Sequence, residues 1–489
     1  MAAKDIGFSV QLPGWAVYKN GLHNDEALFM KFIAILTAAA ALAAPALAQE
    51  ASLPTDSTIA SILVDRIERD QANVGIAVAV IENGQTRFVS HGTLTRDGSA
   101  PVTEHTIFEA GSITKLFTNL ALAQLVNAGR IDLDAPITRY LPDGFKLPQA
   151  PGQAITAFDL ATHSAALSGL PPDLLARGTD NPYSGYGAEG LQAWLASYTL
   201  PRPIGERFEY NNAGTALLGL AIAHVTGADY AEVITDTILA PLDMGETRLE
   251  LTGSPLPAAM AQGHNSAREP VANWDFDVFA PAGALLTSSS DLIKFIAAAS
   301  GQAVPELAPV FDTMLARTRP VSDGTEIGLG WFITTTPGSQ IVWHNGMTGG
   351  YASFAGFDRR SGKGVVVLTN MAAQQGVNDI GMHILDPAIP LAPQPRQRTA
   401  VAIDPALYAG YVGDYVLGLG MVLTVTRDGD QLLARLTGQD AFPIFPESET
   451  QFFYKVVDAQ ITFEVQDGEV KSLTLHQNGQ AMPALKLQP

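Results

Sequence analysis

No cysteine occurs in the 489 residues, and that absence alone removes disulfides, thiolate zinc sites, cysteine nucleophiles and anchoring through a lipidated cysteine. It leaves the redox compartment open. Cations are scarce as well: Lys and Arg number 29 against 49 Asp and Glu, a formal net charge of -20. That balance argues against a nucleic-acid partner, because phosphate binding needs clustered basic side chains. The 9 histidines show no H-E-x-x-H or similar ligand spacing, so no metal and no cofactor are expected. The esterase signature G-x-S-x-G is missing too. What the chain has is apolar mass, with 47% hydrophobic and 16% charged residues, enough for a large buried core. Its length suggests two domains, at roughly 100–200 residues each.

The first 48 residues stand apart. Met30-Lys31 precedes an apolar run at 32–44, and Ala46-Leu47-Ala48 closes it before Gln49. A short basic start, an apolar run and a small-x-small end describe a secretory signal peptide cleaved after Ala48. The run falls short of the roughly 20 residues of a membrane span. Residues 1–29 read as an over-extended start, with Met30 the first residue of the natural product. The expected protein is exported, periplasmic or secreted.

The remainder divides into a large domain at 49–386, a proline-rich linker at 387–404 and a small domain at 405–489. The large domain opens with a helix at 58–70, then two β-rich runs at 75–81 and 86–90. Asn83-Gly84 between them predicts a hairpin. A mainly helical stretch follows up to residue 300. Strands are expected at 327–333, 340–343, 349–354 and 364–370. Gly185–Gly190 matches G-x-G-x-x-G, but no strand feeds it, and it is rejected as a nucleotide site. In the last domain, strands at 421–426, 431–436, 452–456, 461–465 and 472–475 predict a small all-β barrel or sandwich.

Three separated elements carry chemistry. Ser112 is the one serine with a lysine, Lys115, three positions on. Leu116, Leu120 and Ala123 mark a helix there with one apolar face, closing at Gly129, so the Lys115 ammonium lies beside the Ser112 hydroxyl. A hydroxyl needs such a neighbour to become a nucleophile. Tyr210 and Asn212 sit where a loop enters a helix at 215–227. His344-Asn345-Gly346 follows a strand.

Ser112–Lys115, Tyr210–Asn212 and His344–Gly346, in that order, resemble the S-x-x-K, Y-x-N and K/H-x-G motifs of one serine-hydrolase family. It contains the class C β-lactamases and D-alanyl-D-alanine carboxypeptidases, with related carboxylesterases and D-aminopeptidases. Leu160-Ala161-Thr162-His163 and Gly328-Leu329-Gly330-Trp331 look like further landmarks, and the resemblance spans roughly 55–385. It implies an α+β fold, an antiparallel sheet flanked by helices with an all-helical subdomain; the tail resembles a lipocalin-like β-barrel. It implies Ser112 as nucleophile, with Lys115 and Tyr210 sharing general acid–base work. The backbone N–H groups of Ser112 and Met347 would form an oxyanion hole. Asn212 would hold the substrate amide and Lys115, and His344 and Gly346 would line the substrate. Both Lys and Tyr titrate near 10 when free, so one of them must come down.

Two departures matter. Ala165 and Ala166 stand where the family commonly has Ser and Gly, which puts that loop's conformation in question. His344 replaces the Lys of the efficient β-lactamases, and histidine is mostly neutral at pH 7. The expected activity is therefore cleavage of an amide in a small or D-amino-acid-containing peptide. Short-chain ester hydrolysis, weak β-lactam hydrolysis and a slow-acylating penicillin-binding or sensing module are the alternatives. Loops at 172–198 and 262–280 are expected to set the substrate.

Overall fold

β-Branched residues in two distant runs build a pair of adjacent inner strands of the sheet. The computed structural model describes residues 52–487, except 149, 151, 176, 178–180, 250–252, 254, 373–375, 394–397, 399, 419–420, 438–440, 456–458, 467 and 478–479. The signal-peptide reading falls on residues outside this set. Helix α1 (Asp56–Val64) runs into a wider turn at Asp65–Arg69, matching the expected first helix. Strands β1 (Gly75–Glu82) and β2 (Gln85–Gly92) form the expected hairpin. Asn83 and Gly84, at φ 53° and 73°, supply the two left-handed residues that a two-residue hairpin turn requires.

Helices α2 (Thr114–Asn127), α3 (Asn212–Thr226) and α4 (Ser289–Ala299) precede the remaining strands. These are β3 (Arg319–Ser322), β4 (Thr325–Ile327), β5 (Phe332–Thr335), β6 (Gln340–Met347), β7 (Ala352–Asp358) and β8 (Gly364–Thr369), followed by helix α5 (Asn378–Leu385). The sheet order is β2-β1-β8-β7-β6-β5-β4-β3, antiparallel throughout. The first hairpin thus joins the last strand, and β1 is buried on both faces. Alternation sorts those faces. Ala77, Ala79, Ile81, Val366 and Leu368 join α2, α4 and the helical residues Phe158, Leu191, Leu217 and Ile234 in the main core. Ile76, Val78, Val80, Val365 and Val367 pack against α1 and α5 in a second core.

The structure corrects several boundaries. Residues 327–333 are two strands, because Gly328–Trp331 breaks the run. Gly330 has φ +78°, and a β-carbon on Gly328 would lie 2.4 Å from the Met314 carbonyl. His344-Asn345-Gly346 lies inside β6 and does not follow it. The strand expected at 349–354 starts at Ala352, after a turn closed by the Thr348 N–H donating to Tyr351 O.

The tail is a closed eight-stranded barrel from Gly413 to Lys486, its first strand paired with its last (Tyr415↔Lys486, Val416↔Leu485). Three of its strands, Gly413–Gly418, Phe442–Pro446 and Gln480–Lys486, went unread in the sequence. Pro443, Pro446 and Pro483 argue against a strand in isolation. The interior is packed with rings: Tyr411 and Phe463 lie 4.5 Å apart and Phe452 and Phe463 5.4 Å apart. Among the described residues no single helix is long and apolar enough to cross a membrane. One bent pair, Asn212–Thr226 with Tyr230–Leu239, passes on length and composition together.

One buried ion pair ties the second core together. Arg66, 3% exposed, pairs with Asp379 at the start of α5, and the Ala392 N–H also donates to Asp379. Asp379→Ala strands a buried guanidinium, and we expect a loss of about 3–5 kcal/mol in urea unfolding. A loss under about 1 kcal/mol would place the pair in the weak class of solvent-exposed bridges.

Candidate active site

The site grows out of a short strand, Phe108–Glu109, that feeds a tight turn at Gly111–Ile113 and then α2. Ser112 sits in the turn and not in the α-helix, yet a 3₁₀ turn also stacks positions i and i+3. Gly111 has φ +52°, and a β-carbon there would lie 2.8 Å from the Met347 amide nitrogen. Helix α2 is buried on every side from Thr114 to Ala123, where one apolar face was expected. It is enclosed by other helices, among them α3, α4 (Phe117 stacks on Phe295 at 4.3 Å) and the helix at Ala308–Leu315, and a helix so placed has no solvent face.

Lys115 is therefore wholly buried. Its Nζ donates to Ser112 Oγ at 2.9 Å and to the Ala282 carbonyl at 2.8 Å. Burial penalises the ammonium and pushes the Lys115 pKa well below its ordinary value. Of the two groups titrating near 10, lysine is the one that comes down.

Tyr210 goes the other way. It shares a hydrogen bond with Ser112, and its ring centroid lies 4.9 Å from Lys115 Nζ. Burial drives its pKa above the free value, opposed by the Ser112 hydrogen bond. The phenol keeps its proton while the lysine is ready to give one up.

The next residues start α3. Asn211 is the cap, its Oδ1 accepting from the Gly214 N–H at 2.8 Å. Asn212 is the first helical residue, and its Nδ2 donates to the Tyr183 hydroxyl at 2.8 Å. Its Oδ1 is buried with no hydrogen-bond partner among the described residues. The second anchor of Lys115 is thus the Ala282 carbonyl and not Asn212. Sequence reading missed Tyr183. Its only signal was an aromatic residue inside a turn-rich loop. It packs on Trp274 (5.6 Å), Phe276 (5.1 Å) and Phe279 (5.1 Å), so the two loops expected to set the substrate meet there. Burial raises its pKa to about 12. Glu109 Oε1 accepts from Asn273 Nδ2 at 2.7 Å and from the Trp274 N–H at 3.1 Å, which ties the second of those loops to the strand before Ser112.

His344 lies on β6 with no exposed surface. Its Nδ1 donates to the Asn345 carbonyl at 2.5 Å, and its Nε2 is buried without a partner among the described residues. Burial, then the nearby Lys115, pushes its pKa down to about 3. The imidazole is neutral. A β-carbon on Gly346 would lie 2.0 Å from the Ala110 carbonyl, 2.5 Å from Ser353 Oγ and 2.9 Å from the Ser112 amide nitrogen. Glycine here lets β6 touch the Ser112 turn, and Met347 comes next on the strand, half exposed. Gly346→Ala must push the turn aside. Displacement on that scale is expected to cost about 100-fold in turnover, read as kcat with circular dichroism confirming the fold; an unchanged kcat refutes the close contact.

The departing loop folds with Ala166 at φ +59°, a left-handed position where glycine carries no steric cost. His163, in the same loop, is left-handed too, at φ +52°.

Comparison with known proteins shows the family of the chain. The Beta-lactamase family model matches residues 62–385, and a domain of unknown function (DUF3471) matches 397–488. A penicillin-binding protein of Bacillus subtilis is 25% identical over 415 residues, covering 79% of this chain and 89% of the relative. A β-lactamase of Pseudomonas fluorescens is 26% identical over 343 residues, covering 63% and 91%. The octameric penicillin-binding protein homologue from Pyrococcus abyssi superposes with a TM-score of 0.61 at 24% identity, covering 88% of this chain and 99% of that one. The family match spans more than half of the residues, and this chain belongs to the Beta-lactamase family of serine hydrolases, extended by a C-terminal β-barrel.

Proposed function

We propose that the chain is an exported serine hydrolase that cleaves an amide in a small or D-amino-acid-containing peptide through an acyl-enzyme on Ser112. The observation that carries this reading is the 2.9 Å contact between Ser112 Oγ and the buried, pKa-depressed Lys115. The free amine of Lys115 takes the Ser112 proton as Oγ attacks the carbonyl carbon. The oxyanion that forms is held by the N–H groups of Ser112 and Met347, each such donor lowering the barrier by about 3–4 kcal/mol. Tyr210, still protonated, passes a proton to the leaving nitrogen, and the C–N bond breaks. Water then attacks the ester carbonyl, giving its proton to the Tyr210 phenolate, and the C–O bond to Ser112 breaks as Lys115 returns the proton it took. Asn212 Oδ1 is free to accept from a substrate amide N–H.

The neutral His344 favours peptides and esters over β-lactams, since it supplies no fixed charge for the lactam carboxylate. Weak β-lactam turnover is the second reading, supported by the β-lactamase and penicillin-binding names of the relatives. A panel of short D- and L-peptides, p-nitrophenyl esters and nitrocefin separates them. The expected order places peptides first, and a nitrocefin rate far above every peptide reverses it. Export is tested by sequencing the N-terminus of the secreted chain, expected at Gln49; a retained Met1 counts against it.

A further inference from the structure

Tyr210 reaches Ser112 from a loop, so something must hold that loop at hydrogen-bond precision. His163 touches four successive residues of it. Its backbone carbonyl accepts from the Glu209 N–H at 2.7 Å. Its Nδ1 accepts from the Asn211 N–H at 3.3 Å. Its ring lies 4.5 Å from the Tyr210 ring, tilted by 39°, and meets Phe208 edge-on at 5.8 Å. Both peptide neighbours of Tyr210 are pinned, and its ring is backed.

We propose that His163 is a positioning residue, clamping the Tyr210 loop so that the Tyr210 hydroxyl meets Ser112. The proposal rests on the reading of Tyr210 as the proton-transfer partner of Ser112. Two features mark the residue as more than filler. It is 1% exposed and sits at φ +52°, where residues with a β-carbon are rare and persist only when their surroundings over-determine them. An acceptor at Nδ1 also requires the proton on Nε2, hence a neutral ring. Burial first, then Lys115 and His344, holds His163 well below the usual histidine range, so the acceptor is kept. Asn211 is fixed a second time by its cap on Gly214.

Three variants test the clamp. His163→Gly keeps the left-handed backbone and the carbonyl but removes the ring and the acceptor. His163→Asn tolerates the same backbone and places an amide oxygen near the position of Nδ1. Tyr210→Phe is the reference. The readouts are the fluorophosphonate acylation rate as a function of pH and the separation of kcat from KM, with thermal unfolding to verify folding. His163→Gly is expected to lose about 100-fold in acylation and kcat with KM nearly unchanged and the pH profile displaced. His163→Asn is expected to recover most of that rate. A His163→Gly variant at the parental rate overturns the proposal, because the backbone alone then suffices. Equal losses in the Gly and Asn variants overturn it as well, since the acceptor is then irrelevant. A slow Tyr210→Phe beside fast His163 variants sinks only the clamp; Tyr210→Phe at the parental rate sinks the reading of Tyr210 itself.

Discussion

Ser112→Ala is expected to lose hydrolysis on the order of 10⁵-fold and to lose fluorophosphonate labelling altogether. The loss is larger than any single hydrogen bond would give, because the residues of a nucleophilic site act as a unit. With the oxygen gone, Lys115 has no proton to take and Tyr210 loses its Ser112 partner. What survives is catalysis by the oxyanion donors and by binding, which still exceeds the uncatalysed rate. The fold is expected to survive as well. The turn depends on Gly111 and on the Thr114 hydroxyl, which donates to the Gly111 carbonyl at 2.7 Å. The measurement is a time course on the best peptide together with mass-spectrometric mapping of the labelled residue. A Ser112→Ala protein that still labels, or that turns over within tenfold of the parent, removes the acyl-enzyme from the mechanism.

Which parts of this arrangement were legible in the sequence follows from how far each signal reaches. The β1–β2 hairpin could be read because Asn83-Gly84 states a local backbone requirement. The nucleophile could be read because Ser112 and Lys115 are three residues apart, and local geometry brings them together. Tyr210, His344 and Gly346 were located by resemblance, since nothing local says that residues about 100 and 230 positions away fold against Ser112. Tyr183 was invisible for the same reason, and no motif marks it. His163 was visible only as a landmark, because its left-handed backbone and its bond to Asn211 exist only in the folded loop. The prolines of the barrel misled in the opposite direction. Pro443 faces Leu433 and Pro483 faces Thr474 within a closed barrel, a tertiary context that overrides local propensity. The one-sided reading of α2 failed because a helix enclosed by other helices needs apolar residues all round, and Thr114, Thr118 and the Asn119 amide nitrogen find their partners inside the protein. Thr118 Oγ1 donates to Pro281 O at 2.7 Å, and Asn119 Nδ2 to Lys115 O at 2.8 Å.

Lys115→Met is expected to cost about 10⁴-fold in turnover, the upper range for removing a general base. Its effect on stability has the opposite sign over a defined window. The folded-state pKa of Lys115 lies well below its unfolded value of 10.5. Between those two values the unfolded chain binds a proton that the folded chain does not. Stability therefore rises with pH across that window, and the rise stops above 10.5 and below the folded pKa. Met removes the titrating group and keeps the apolar stem. The stability of the parent minus that of the variant should climb by about 1.4 kcal/mol per pH unit inside that window, about one unit or more below 10.5. Urea unfolding of both proteins at several pH values in that range reads the slope, and the difference cancels every other lysine and tyrosine. Parallel curves would mean that Lys115 is charged when folded, and it could not then act as the base for Ser112. Lys115→Arg sharpens the comparison, because a guanidinium keeps its proton in proteins. It should be as inactive as Met while introducing a buried charge, and so should fall below the parent in stability. The buried amine is thus a group whose folding penalty and whose catalytic use have one cause, the loss of solvent around Nζ.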